Sequence, residues 1–170
     1  MSPAAGRALV ATVAACALVA TPALAGSAIE ASVKTGRWHG MEWELRAGAW
    51  RDGSYCVAML IRDRDDGRAC GNIREQGGIG YIAAVSRPFP DYVIGPVVMV
   101  ARSVRIDFFD RPPLRLSTIP APRVLPGGMR FFMTLVRCPS TPRGFIARDA
   151  RGRVVAQLVV RHRAFVMSRC

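Results

Sequence analysis

A chain of 170 residues, 51% of them apolar, is long enough to bury a core of its own and short enough to hold one domain. Its 24 basic and 12 acidic residues leave +12, which disfavours cationic partners and favours anionic ones. Lys34 is the lone lysine, and His39 and His162 are the only histidines, so chemistry that depends on histidine clusters has little to draw on.

The chain opens with Arg7, an apolar run from Ala8 to Ala20, and Thr21-Pro22-Ala23-Leu24-Ala25, a small-x-small ending that a signal peptidase cuts. Residues 1–25 therefore read as an export signal. Two other readings stay open. Val13-Ala14-Ala15-Cys16 loosely fits a lipoprotein processing site with an acylated Cys16, and Ala8 to Ala25 could remain uncut as an anchor, since a span needs roughly 18–20 apolar residues. No other run is long enough: Val93 to Ala101 is short and contains Gly95 and Pro96, so no transmembrane span is expected after cleavage.

Residues 26–40 are polar and read as a flexible lead-in, leaving 41–170 as a single β-rich domain. Trp43 to Trp50 alternates apolar with polar or small side chains, and Asp52-Gly53 signals a hairpin into Tyr55–Ile61. Asp65-Asp66-Gly67 reads as the next turn and Gly71 to Gly80 as a glycine-rich loop before a short strand, Tyr81–Val85. Arg87-Pro88-Phe89-Pro90-Asp91 must be loop, because two close prolines remove ladder donors. Met99–Phe108 alternates again, with Arg102 out of place on the apolar side. Leu114–Ile119 follows, then a proline-rich loop over Pro120 to Gly128. Arg130–Val136 is apolar on both faces and reads as a central, doubly covered strand. Phe145–Arg148 and Val154–Val160 flank an Asp149–Gly152 turn. About eight short strands with Gly, Pro and Asp turns indicate an all-β antiparallel sandwich or barrel.

Export implies an oxidising compartment, where Cys56, Cys70, Cys138 and Cys170 would pair. Four cysteines allow three connectivities. Cys56–Cys70 with Cys138–Cys170 is preferred, because it closes one local loop and ties down a C-terminal residue that would otherwise fray.

No G-x-S-x-G, H-E-x-x-H or closely spaced cysteine pair is present. A dispersed catalytic site would be sought first near His39, Glu42 and Asp66. Asp63 to Asp66 is too crowded by arginines, and lacks the closing glutamate, for a calcium loop. Gly77-Gly78-Ile79-Gly80 is not a phosphate cradle, so neither metal nor cofactor is expected. Pro139 to Gly144, bracketed by prolines beside Cys138, could present Arg143 to a trypsin-like protease as a preorganised inhibitory loop. Outward-facing arginines form the other candidate. Arg62, Arg64, Arg148, Arg151, Arg153 and Arg161 belong to it, and Arg102, Arg105, Arg115 and Arg130 are its expected anion-binding set.

Trp43-Glu44-Leu45, Gly53 with Cys56, Cys70-Gly71, Gly95-Pro96, Phe131-Phe132 and Ala147-Arg148-Asp149-Ala150-Arg151-Gly152 together resemble small exported proteins of GC-rich bacteria. The resemblance implies export and a β-rich fold and carries no established activity or functional residue. The expectation is thus binding rather than catalysis, of an anionic cell-envelope polymer or another extracytoplasmic protein and not of nucleic acid. A secreted protease inhibitor and an enzyme with a dispersed site remain the alternatives.

Overall fold

The computed structural model describes residues 29–126, 128–136 and 140–160. They form no helix and twelve antiparallel strands in three four-stranded sheets. The first sheet is a meander of β1 (Ile29–Trp38), β2 (Met41–Ala49), β3 (Ser54–Ile61) and β4 (Arg64–Asn72). The central sheet runs β5 (Ile82–Ala84), β6 (Asp91–Val98), β10 (Met129–Val136), β9 (Ile119–Pro120). The third runs β12 (Val154–Val159), β11 (Pro142–Arg148), β7 (Ser103–Phe108), β8 (Leu114–Ser117).

Alternation in the central sheet explains the layering. Tyr92, Ile94 and Phe131 join Leu45, Val57 and Met59 of the first sheet in one core. Val93, Val97 and Phe132 point the other way and join Ile106, Phe145 and Ala147 of the third sheet. β10 is thus covered on both faces, as its apolar pattern requires. The arrangement is sandwich-like and no barrel closes, which removes that alternative; twelve strands replace the expected eight or so.

Three local readings need correction. Residues 26–40 are not all a lead-in: Ile29–Trp38 is β1, paired along its length with β2. Its turn is His39-Gly40, both at positive φ (45° and 81°), the hairpin geometry usually announced by Asn-Gly. Asp65-Asp66-Gly67 is not a turn. The chain reverses at Arg62-Asp63 (φ 51° and 61°), and the Asp-Gly signal sits in β4 beside a register shift. Asp91–Val98, read as loop and interrupted run, is the buried strand β6. Pro96 is tolerated because its side of β6 lies beyond the paired length of β5, where its carbonyl accepts the Gly80 amide at 3.0 Å.

Cys56 and Cys70 are directly opposite on β3 and β4 and form a disulfide. Cys138, Cys170 and the leader lie outside the described residues. Among the described residues no helix is long and apolar enough to cross a membrane.

Candidate functional site: a basic end of the sandwich

An antiparallel chain reverses at alternate ends, and here that alternation sorts charge. The β2–β3, β4–β5, β6–β7, β9–β10 and β11–β12 connections share one end. Register establishes this: Met129 pairs with Val98, and the Arg102 amide donates to the Arg148 carbonyl at 2.7 Å. The Val98 amide likewise donates to the Gly78 carbonyl at 3.0 Å, joining the β4–β5 loop to β6. Arg51, Arg74, Arg102, Arg123, Arg151 and Arg153 lie in these connections, with Arg130 and Arg148 at the adjoining strand ends. The accompanying carboxylates are Asp52, Glu75 and Asp149. Two of them are engaged. Asp52 accepts the Ser54 amide (2.8 Å) and hydroxyl (3.0 Å), bonds that, helped by the Arg74 charge, hold its carboxyl below the usual range. Burial would raise the Asp149 carboxyl, but Arg153 at 2.8 Å and the Arg151 and Arg153 amides bring it down.

The opposite end is different. Glu42, Asp63, Asp65, Asp66, Asp91, Asp107 and Asp110 collect there, in or beside the β1–β2, β3–β4, β5–β6 and β7–β8 connections, and balance the arginines around them. The molecule is therefore polarised along its strands, a property that orients a protein in the field of a charged surface.

Within the basic end, Arg130 has the most developed environment. Its Nε donates to Thr118 Oγ1 (2.7 Å) and its Nη2 to the Thr118 carbonyl (3.1 Å). Thr118 is the buried corner where the chain leaves β8 in the third sheet for β9 in the central one, and its hydroxyl donates to the Ala101 carbonyl at 2.9 Å. Burial, and then the neighbouring Arg102 charge, lowers the Arg130 pKa. Two like charges thus lie near each other, and among the described residues neither forms a salt bridge with a carboxylate, an arrangement that an added anion would stabilise.

Nearby is a cleft of about 340 Å³ lined by Arg51, Arg74, Ile73, Val98 and Met129, with Gly53, Gly77, Gly78 and Gly128 completing the wall. Among the described residues no carboxylate lines it. The four glycines hold φ between 66° and 120°, a region that favours glycine, and their missing side chains help leave the cleft open.

Of the expected set, Arg102 and Arg130 belong to this end, whereas Arg105 and Arg115 do not. Those two pair across β7 and β8 on the outer face of the third sheet, where Asp107 neutralises Arg105 through bonds of 2.8 and 3.2 Å. Arg148, Arg151 and Arg153 are at the basic end, Arg62 and Arg64 at the other, and Arg161 outside the described residues. Sequence reading missed Arg51, Arg74 and Arg123. They sit between strands, where alternation assigns no face to a side chain.

The other candidates separate. His39 is exposed at a hairpin tip, edge-on to the Trp38 ring at 4.9 Å. Glu42 is paired with Arg37, and Asp66, two strands away, accepts the Ser86 hydroxyl at 2.8 Å. These three residues do not converge. Of the segment from Pro139 to Gly144, Ser140 is fully buried and Pro142–Arg148 is β11, flanked by β7 and β12, so those residues form no protruding loop. Pro139 and His162 lie outside the described residues. Among the described residues, no group of three or more His, Cys, Asp or Glu side chains is placed to hold a metal ion.

No protein-family model, curated protein or solved structure matches this chain.

Proposed function

We propose that this is an exported, non-enzymatic binding protein whose basic end engages an anionic component of the cell envelope. The carrying observation is the segregation of charge, with arginines gathered around one set of turns and carboxylates around the other. Net charge alone would give diffuse attraction, but a polarised molecule presents one end. Export rests on the leader-like residues 1–25 and agrees with a disulfide in β3–β4. Arg51 and Arg74, which line the glycine-walled cleft, supply bidentate donors for phosphate or carboxylate groups.

The test is retention of the purified, oxidised protein on immobilised poly-glutamate as sodium chloride rises. Binding that weakens steeply with salt is expected, because exposed charges more than about 8 Å apart are screened at physiological ionic strength. Absence of binding at low salt, or binding indifferent to salt, would contradict the proposal.

A further inference from the structure

Among the described residues, the basic end also carries the one pair of adjacent, exposed large apolar side chains. Met99 and Val100 form the tip between β6 and β7 and are 56% and 54% exposed; Val124, in the β9–β10 connection at the same end, is 60% exposed. Isolated exposed apolar residues need no explanation. These three share an end with Arg102, Arg123 and Arg130, and neighbouring turns add Arg51 and Arg74. Apolar tips within a rim of arginines suit a boundary where hydrocarbon lies just beneath anionic groups. A hydrophilic polyanion would satisfy the arginines yet give no return for covering Met99, Val100 and Val124.

From this we infer that the anionic component is a lipid bilayer. The β6–β7 tip and Val124 enter the headgroup region, while the surrounding arginines bind lipid phosphates. The inference rests on the reading given under Proposed function and narrows it to one partner. The architecture supports shallow insertion. Ala101 and Leu125, next to these exposed residues, are buried and anchor both connections to the cores. The Ala101 amide donates to the Val98 carbonyl and the Leu125 amide to the Pro122 carbonyl, both at 3.0 Å, so each tip is a closed turn. Little ordering entropy remains to be lost on docking.

The experiment measures co-sedimentation with phosphatidylglycerol–phosphatidylcholine vesicles, with phosphatidylcholine vesicles and with poly-glutamate beads. It compares the wild-type chain with the triple variant Met99→Ser, Val100→Ser, Val124→Ser. All three sites are exposed, and an unchanged unfolding temperature certifies the fold. The wild type is expected to bind the anionic vesicles and not the zwitterionic ones. The triple variant should lose at least about tenfold in vesicle affinity while keeping its poly-glutamate affinity. Undiminished vesicle binding by the variant would overturn lipid insertion and leave the electrostatic reading standing. Wild-type binding to poly-glutamate but not to anionic vesicles would overturn it in favour of a polymer. Binding to neither would remove the underlying proposal itself.

Discussion

The Tyr55 hydroxyl, at the tip of a buried side chain on β3, donates a 2.6 Å hydrogen bond to Gln76 Oε1 in the β4–β5 loop. Gly71 and Gly80 lie against the same side chain; a Cβ on Gly80 would come within 2.6 Å of the Tyr55 ring. The loop that carries Arg74 to the basic end is therefore seated on Tyr55. Tyr55→Phe keeps the ring and removes the bond, and should cost about 0.5–1.5 kcal/mol in urea unfolding. Amide exchange should quicken at Gly77 and Gly78 and stay unchanged in β10. Uniform quickening would mean that Tyr55 supports the core and not the loop.

Gly95 permits the central sheet to exist. A Cβ there would lie 2.9 Å from the Gly80 carbonyl carbon and 2.9 Å from Tyr81 Cα, backbone atoms that cannot rotate away. Gly95→Ala should cost at least about 3 kcal/mol, read as a large fall in unfolding temperature or loss of soluble protein. A near-neutral effect would show that β6 does not pack against the 80–81 backbone as described.

The Cys56–Cys70 bridge spans a sequence separation of 14. Paired Cys→Ser substitution should lower stability by about 3 kcal/mol through the freed unfolded chain, with the β3–β4 pairing retained in what folds. Unfolding by denaturant with and without the pair measures it.

Asp91 is buried at the start of β6, and its Oδ2 has no hydrogen-bond partner among the described residues. Burial, opposed by the Arg87 charge, raises its carboxyl above the ordinary 3.8. The native state then holds this proton more tightly than the unfolded chain does. The resulting stabilisation is complete below pH 3.8 and is lost as pH rises through the elevated native value. The stability of the wild type relative to Asp91→Asn should accordingly fall over the interval that opens at pH 3.8 and runs upward through the raised native value. A difference that is flat or rises over that interval would show the carboxyl is not disfavoured by burial.

The fold class and the doubly covered β10 were legible because alternation and turn residues report burial directly. Strand β1 was not, since His39-Gly40 performs a reversal normally marked by Asn or Asp. β6 was hidden by Gly95 and Pro96, which signal breakage unless the neighbouring strand is known to end there. The second omission also concealed the site. Turn charges can be assigned to ends by counting reversals, but a missed internal strand shifts every later turn to the wrong end. Arg105 and Arg115 are exposed, yet the outer face of the third sheet is not the same surface as that of Arg102 and Arg130.

If one end of the molecule, and not its net charge, engages the anionic partner, charge reversal at that end must weaken binding more than the same reversal elsewhere. Arg51→Glu with Arg123→Glu reverses two exposed charges at the basic end; Arg62→Glu with Arg64→Glu makes the same change in net charge at the other. Dissociation constants for phosphatidylglycerol-containing vesicles, taken at one fixed salt concentration, compare them directly. The first pair should weaken binding by about tenfold or more and the second by less than about threefold. Equal weakening by the two pairs would contradict the account.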